Sequence, residues 1–275
     1  MGLVFIAGMA GLLLGTLTLK GRPAATTASS TQEAGSETVS VFTLVGHTET
    51  GRRKWEIQGQ TADLMDETVR LSPVSSTSFG EVNVHLTASN GTYQKVRQDV
   101  HLEEDVVVTT SDGARLITDT MDWSNARSVA TTPDWVTVTR PGMTVVGLGA
   151  VGHPNKKQVR MEREITVTLL GQGGKTMVTC DGPMEVDYGR NKARFWRNVR
   201  VQDDKGVIQS DRMDVTLDPA TKQIQTATCW GHVAIHRSTQ VAYCHRAKYW
   251  QAAGRTRLAG HTRVVMLAQE GGWQP

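Results

Sequence analysis

The feature that most constrains the fold of this 275-residue chain is an alternation of apolar and polar residues with a period of two. It recurs beyond residue 40, for example in Val82–Leu86, Val136–Val138, Val199–Val201, Met213–Leu217 and Val233–Ile235. A period of two is typical of a β-strand that buries one face and exposes the other. No convincing amphipathic helix follows residue 40, so the sequence predicts an all-β fold.

Dipeptides that favour turns separate the alternating runs. They are Asn90-Gly91, Asp112-Gly113, Tyr188-Gly189, Lys205-Gly206 and Asp218-Pro219. The carboxylate pairs Glu103-Glu104 and Asp203-Asp204 are also expected in turns, beside no candidate pocket.

An internal repeat narrows the architecture. Copies begin at Ala88, Thr118, Cys180, Ser210 and Cys244, and each ends on an alternating Val-rich strand. Each copy is about 20 to 26 residues long, which leaves room for two strands and two turns. Such a unit cannot bury its own apolar face, so neighbouring units must stack. We therefore predict two facing sheets, arranged as stacked β-jelly-roll (β-taco) modules that are open at both ends.

The amino-terminal segment predicts a membrane anchor. Residues 3–19 carry no charge and no proline, and as a helix they would span about 25 Å. No small-x-small cleavage site lies directly behind them, which favours a single uncleaved transmembrane helix over a signal peptide. Lys20 and Arg22 follow the span, against the positive-inside rule, but a large folded domain is translocated largely regardless of nearby charge. The Ala-, Ser- and Thr-rich residues 21–38 are expected to form a flexible linker.

Composition excludes some classes of protein. A formal net charge of +3 is too small to indicate nucleic-acid binding and suits weak attraction to anionic lipid headgroups equally well. Three cysteines do not make a disulfide framework, and their odd number leaves at least one thiol unpaired within the chain.

Two stretches carry a family resemblance. Trp55–Gly59, followed by Ala62-Asp63, and the segment Leu86–Leu102 resemble the repeat pattern of the LptC family of periplasmic lipopolysaccharide-export proteins. Further on, Cys180–Tyr188 and Asn198–Val201 are similar to the OstA/LptA-type periplasmic bridge domain.

The resemblance covers nearly the whole chain and implies a domain plan. The plan has a transmembrane anchor (1–20), a linker (21–38), an LptC-like β-jelly-roll (39–169) and an OstA/LptA-like β-jelly-roll (170–270). It departs from the better-known arrangement, in which the two module types are separate proteins.

The resemblance also implies a function. The protein would bind lipopolysaccharide and pass it on, without a cofactor and without being an enzyme. It would receive the lipid from the periplasmic domains of an inner-membrane ABC transporter and deliver it, through open sheet edges, to an LptA-like bridge or the outer-membrane translocon. It would be a single-pass inner-membrane protein with most of its chain in the periplasm.

The hydrophobicity of the lipid's acyl chains agrees with this predicted function. An acyl chain of about 12 to 14 carbons exposes about 10 kcal/mol of hydrophobic surface, at roughly 0.8 kcal/mol per methylene. A slot between two sheets would remove that surface from water. An ordinary sandwich core has the same alternating pattern as a lipid groove. The expected groove-lining residues are the inward members of the alternating strands: Val100, Leu102, Val106, Val108, Val136, Val138, Val199, Val201, Val215, Leu217, Val233 and Ile235.

The strand pattern disfavours a zinc site near residues 229–245. Cys229, His232 and His236, followed by Cys244 and His245, are zinc-ligand residue types at near-zinc spacing. On a strand, however, the two histidines at 232 and 236 share one face and Cys229 projects from the other. A cross-strand disulfide between Cys229 and Cys244 is an alternative.

Other chemical motifs carry less weight. Gly147–Gly152 satisfies G-x-G-x-x-G, but His153–Lys157 cannot open the helix that a dinucleotide site needs, so a glycine-rich turn is expected. There is no nucleophile elbow, zinc-protease motif or P-loop, which argues against an enzyme.

A run of basic residues flanks Phe195-Trp196: Arg190, Lys192, Arg194, Arg197 and Arg200. These side chains could bind lipid phosphates at the rim of the slot, but a solvated strand face is the preferred interpretation. A non-catalytic periplasmic scaffold and a membrane-anchored sensor domain remain alternatives to a lipid carrier.

Overall fold

The computed structural model describes residues 32–33, 36–47, 51, 53–64, 67–80, 82–171, 174–220 and 223–266. The predicted anchor at residues 3–19 lies outside this part of the chain. Among the described residues, no helix is long and apolar enough to cross a membrane. The first described residues, Gln32–Glu33, form a strand within the segment 21–38 that is predicted to be a linker.

The described chain is all-β, as predicted, with one short 3-10 turn at Pro154–Lys156 as its only helical element. The strands are β1 (Gln32–Glu33), β2 (Ser36–His47), β3 (Arg53–Leu64), β4 (Thr68–Ser78), β5 (Val84–Ala88), β6 (Asn90–Gln94), β7 (Asp99–Thr110), β8 (Arg115–Ser124), β9 (Val129–Arg140), β10 (Met143–His153), β11 (Gln158–Gly171), β12 (Gly174–Cys180), β13 (Met184–Asp187), β14 (Lys192–Asp203), β15 (Gly206–Leu217), β16 (Ile224–Arg237), β17 (Gln240–Trp250), β18 (Arg255–Ala259) and β19 (Arg263–Met266).

The described residues divide into two compact units. The first unit comprises residues 32–141 and 149–159, and the second comprises 142–148 and 160–266. The domain border predicted between residues 169 and 170 stays a prediction.

In both units, strands that follow one another along the chain pair in an antiparallel sense. In the first unit β2 to β9 pair in this way, and the short β5 and β6 lie together between β4 and β7. In the second unit β12 and β13 share one position beside β14, and β18 and β19 share one beside β17. A short strand pair that occupies one place in the sheet is a single strand interrupted at its middle.

One face of each sheet is removed from water. Val84, Val106 and Val108 of the first unit are fully buried, and Ile165 and Val233 of the second are 1% exposed. A single sheet layer cannot bury its own face, so these side chains must be covered by a second layer of structure. Such a covered antiparallel sheet is consistent with a β-jelly-roll.

The long strands are interrupted by bulges at mid-length. Register shifts lie between Glu103 and Val106 in β7, and between Trp196 and Val199 in β14. The residues inside these shifts adopt left-handed backbone angles, with φ of 61° at Glu104 and 63° at Arg197. Because a bulge bends its strand and increases its twist, these positions are where the sheets turn.

Three predicted turns are wrong. Glu103-Glu104 lies inside β7 at the bulge, Asn90-Gly91 lies in β6, and Gly147–Gly152 lies in β10. The glycines have a packing reason instead. A Cβ added to Gly91 would lie 2.8 Å from Val74 Cγ2, so close packing disfavours a side chain there. A Cβ added to Gly147 would lie 2.9 Å from Met161 Cε, and the Met161 side chain would have to shift.

Candidate functional site

The interior of the second unit contains apolar rows that run across its strands. Residues that are directly opposite on neighbouring strands share one face of a sheet. One row crosses β13 to β18, and its first five members are each at most 6% exposed: Met184, Phe195, Met213, Cys229, Ala247 and Leu258.

A second row lies on the other side of the bulges. It crosses β12, β14, β15, β16, β17 and β19, and its members are Val178, Val201, Ile208, Ile235, Ala242 and Val264. Val178 is 6% exposed, whereas Val264 is 53% exposed and Met266 is 76% exposed. The apolar interior of this unit therefore reaches solvent at its last strands, and β18 and β19 pair only with β17 within the described chain.

The first unit has rows of the same kind. Leu86, Val108, Leu116 and Val138 are directly opposite one another across β5, β7, β8 and β9. A parallel row of Gly91, Leu102 and Met121 lies on the other side of the β7 bulge. Both units therefore present continuous aliphatic strips toward their interiors.

The twelve predicted groove residues all lie at buried or half-buried positions. Val100, Val138, Val201 and Leu217 are half-buried. The other eight are at most 9% exposed: Leu102, Val106, Val108, Val136, Val199, Val215, Val233 and Ile235. Whether any of them contacts a lipid stays a prediction.

Four of the most deeply buried of these residues share a position that periodicity does not identify. Val106, Val136, Val199 and Val233 are each the first inward residue after a mid-strand break in the burial pattern, and each is at most 1% exposed. Ile165 in β11 occupies the same place and was missed. The missed signal is a spacing of four, rather than two, between successive inward residues.

Trp123 supplies a polar group inside the first unit. Its side chain is 2% exposed and lies between Val100 and Ala130 on the neighbouring strands. Its indole Nε1 is the one buried side-chain donor without a hydrogen-bond partner in the described part of the chain. An unpaired buried donor is costly, so a ligand carbonyl or hydroxyl at this place would relieve the penalty.

The cysteines are buried free thiols, so the alternative disulfide between Cys229 and Cys244 is not formed. Burial raises the pKa of Cys180 and that of Cys229 to about 11, which keeps both thiols neutral and unreactive near neutral pH. Cys229 faces the interior while His232 and His236 are exposed. Within the described residues, no group of three or more His, Cys, Asp or Glu side chains is placed to hold a metal ion.

The predicted basic run does not form one cluster. Arg197 lies in the β14 bulge, where its Nε donates to the carbonyl of Gly182. Arg190 follows β13 and lies 3.8 Å from an Asp187 carboxylate oxygen. Lys192 and Arg194 instead project outward from β14, opposite Thr216 and Asp214. The backbone bend separates residues that are close in sequence.

Comparison with known protein families identifies both halves of the chain. Residues 3–170 match the family model described as lipopolysaccharide-assembly, LptC-related, and residues 183–274 match that of the LptA/(LptD N-terminal domain) LPS transport protein. No curated protein compared with the chain matches it. The first match spans more than half of the chain. The chain therefore belongs to the LptC-related lipopolysaccharide-assembly family, acts in lipopolysaccharide transport, and carries an LptA-like domain fused behind its LptC region.

Proposed function

We propose that the protein binds the lipid A acyl chains of lipopolysaccharide between its sheets and moves the lipid along the two units. The observation that carries this proposal is the set of aliphatic rows that cross each unit, of which the row from Val178 to Val264 becomes exposed at its last strand. Each acyl methylene that enters such a strip is removed from water, at about 0.8 kcal/mol per methylene. The binding is non-catalytic and needs no cofactor.

The indole Nε1 of Trp123 supports binding in the first unit. It is a buried hydrogen-bond donor with no protein partner among the described residues. Lipid A acyl chains are attached through ester and amide carbonyls and carry hydroxyl groups, which are acceptors for such a donor. Replacement of Trp123 by Phe removes the donor but keeps an aromatic ring, so we expect weaker lipid binding in a protein that remains folded.

The wider pathway is part of the same proposal. Residues 3–19 anchor the chain in the inner membrane, residues 39–169 form the LptC-like β-jelly-roll, and residues 170–270 form the LptA-like one, all in the periplasm. The first module receives lipopolysaccharide from the periplasmic domains of an inner-membrane ABC transporter. The free edge at β18 and β19 passes it to a bridge module or the outer-membrane translocon, since unpaired strand edges accept further strands.

In vivo photo-crosslinking at Val201 tests the lipid contact. Val201 lies in the interior row opposite Val178 and Ile208, whereas its neighbour Arg200 lies on the other face, opposite Thr179 and Gln209. A photoreactive residue at Val201 is expected to form lipopolysaccharide adducts, and one at Arg200 is expected to form none. Adducts at neither site, in a folded and anchored protein, would instead support the scaffold or sensor alternatives.

A charged substitution at Val201 distinguishes an effect on lipopolysaccharide export from an effect on folding. Val201 is half-buried, so Val201→Asp is expected to leave the fold intact and to place a carboxylate against the acyl chains. We expect lipopolysaccharide export to fall more than the free energy of unfolding does. Equal losses of both would contradict the acyl-chain contact.

A further inference from the structure

The second unit carries a dense array of tryptophan and basic side chains on the face opposite its apolar rows. We call it the tryptophan–arginine face and define it by the side chains in residues 192–196, 212–216, 226–230, 246–250 and 255–257 that point away from the apolar row crossing β13 to β18. It contains seven cations and one carboxylate, while the whole chain has a formal net charge of only +3. Positive charge is therefore concentrated here.

The register places aromatic and cationic side chains in alternation across four strands. Trp196 is opposite Arg212, Arg212 is opposite Trp230, and Trp230 is opposite Arg246. The guanidinium carbon of Arg246 lies 4.2 Å from the centre of a Trp230 ring, and that of Arg212 lies 5.9 Å from Trp196. Stacking on an indole holds a guanidinium flat and leaves its N–H edge free to donate.

Trp250 extends the array. The ammonium of Lys248 lies 4.9 Å from its ring centre, and the guanidinium carbon of Arg255 lies 5.5 Å from it. Because the indole rings restrict these long side chains, a ligand that binds them has less side-chain entropy to remove.

The charges of the array are unevenly neutralised. Asp214 accepts two hydrogen bonds from Arg212, at 2.9 and 2.7 Å, and one from Trp230 Nε1 at 3.1 Å. Arg194 lies 4.0 Å from the same carboxylate. The one acidic side chain of the face is therefore already engaged near β14 and β15.

The cations of β17 and β18 have no such partner. Arg246, Lys248, Arg255 and Arg257 form no ion pair with any described residue. Lys248 and Arg257 are directly opposite each other across the two strands. Like charges at directly opposite positions destabilise a sheet, so this arrangement favours an anionic ligand that neutralises both.

We propose that the tryptophan–arginine face binds the phosphate groups of a lipopolysaccharide headgroup. Guanidinium groups with a free N–H edge bind phosphate oxygens in pairs, and several on neighbouring strands suit a ligand with more than one phosphate. The hydroxyls of Thr216 and Thr226, between the cations, suit the sugar hydroxyls that link those phosphates. This site rests on the proposed function for its ligand but lies on the opposite face of the sheet from the acyl chains.

The decisive variant is Arg257→Glu. It converts the like-charged Lys248–Arg257 pair into a pair of opposite charges, so the protein is expected to fold at least as stably as wild type. The matched control is Arg115→Glu, which makes the same charge change at an outward strand arginine of the first unit, opposite Thr109 and Thr139.

The probe is a deacylated, phosphorylated lipid A–core oligosaccharide, titrated calorimetrically into the detergent-solubilised full-length protein. Having no acyl chains, it does not use the interior rows. We expect Arg257→Glu to weaken its binding by at least about tenfold, the size of a lost charge-assisted hydrogen bond, and Arg115→Glu to leave binding unchanged. The dephosphorylated oligosaccharide is expected not to bind.

Several outcomes would overturn the proposal. One is equal affinity of wild type and Arg257→Glu, or of the phosphorylated and dephosphorylated probes. Another is inorganic phosphate binding as tightly as the oligosaccharide, which would indicate a general anion site. A third is Arg257-dependent binding to phosphatidylglycerol-containing vesicles without oligosaccharide binding, which would indicate a membrane surface. Failure of crosslinking at Val201 with oligosaccharide binding intact would reject the acyl-chain proposal and leave this site standing.

Discussion

The two units repeat the same interior but differ on their outer faces. Leu102 and Val106 of β7 flank a bulge in the same way as Phe195 and Val199 of β14, and all four are buried. The outward residue just before the bulge is His101 in the first unit and Arg194 in the second.

The partners of these outer residues differ as well. His101 contacts Asp122 at 2.6 Å and Glu103 at 2.7 Å, whereas Asp214 of the second unit is engaged by arginines and a tryptophan. The buried positions repeat because each unit must fill the same interior, whereas the outward positions carry different side chains in the two units.

The largest loss of stability is expected from a charge at the first buried position after a bulge. Val106→Asp and Val199→Asp place a carboxylate where exposure is at most 1%, which is expected to cost about 4 kcal/mol or more and to unfold the unit that carries it. Peptide-resolved hydrogen exchange measures each unit separately. The outward neighbours Val107→Asp and Arg200→Asp are the controls, and equal loss of protection in the controls would show that the shared interior is not special.

A smaller loss of stability is expected when an ion-paired aspartate is removed, and it differs between Asp112 of the first unit and Asp214 of the second. Asp112 pairs with Arg140 at 2.6 Å, with side chains only 9% and 13% exposed. Removing one partner of a buried pair leaves the other charge uncompensated, so Asp112→Ala is expected to destabilise the first unit by about 3 kcal/mol. Asp214→Ala affects the more exposed Arg212 and is expected to cost about 1 kcal/mol. Urea unfolding of each variant tests this order, and the reverse order would refute it.

Glycine substitutions compare one turn in each unit. A Cβ at Gly206, where φ is 144°, would collide with the backbone carbonyl oxygen of His236, so Gly206→Ala is expected to cost about 2 to 3 kcal/mol. At Gly113, φ is 84° and the nearest atom is Pro141 Cδ at 3.8 Å. Only the backbone conformation opposes alanine there, so about 1 kcal/mol is expected. Thermal denaturation is the measurement, and similar losses at both sites would mean that the carbonyl moves aside.

The smallest effect is a pH dependence of the first unit. The hydrogen bond to Asp122, followed by that to Glu103, raises the pKa of His101 against the opposing effect of desolvation. The folded state therefore favours the protonated ring, and its contribution to stability is present below the unfolded pKa and is lost as pH rises through the folded pKa. We expect the first unit to be more stable at about pH 6 than at about pH 8, by less than about 1 kcal/mol because the side chain is 40% exposed.

His101→Gln is the control for this effect. It keeps a polar side chain at the same place but does not titrate, so the difference in unfolding free energy between the two pH values is expected to shrink. An unchanged difference would assign the pH dependence to other groups.

Strand identity and facing follow from local pattern. All twelve candidate groove residues are buried or half-buried because alternation in a strand puts every second side chain on one face, whatever the partner strand is. The internal repeat can be recognised in the sequence because its copies coincide with structural units. Ala88, Thr118, Cys180, Ser210 and Cys244 are all buried, and each lies at or next to a mid-strand interruption, so each copy covers one hairpin measured from bend to bend.

The bends themselves were not predictable. Glu104, Asp105, Arg197 and Asn198 adopt left-handed angles without being glycine, and no local preference of Glu or Arg favours that conformation. The surrounding strand pairs impose it. For the same reason Asn90-Gly91, a strong turn signal, is held within β6 by the packing of Val74 and Leu102.

The sequence by itself determined the all-β class, the inward face of most strands and membership of a lipopolysaccharide-assembly family, because these depend on period-two alternation and on repeat patterns read along the chain. Only the tertiary structure decided which residues meet. Trp196, Arg212, Trp230 and Arg246 are 16 to 18 residues apart in sequence and become neighbours only through the register of four strands. Register depends on the bulges and on the packing of the buried face, and those are properties of the whole sheet rather than of any one strand.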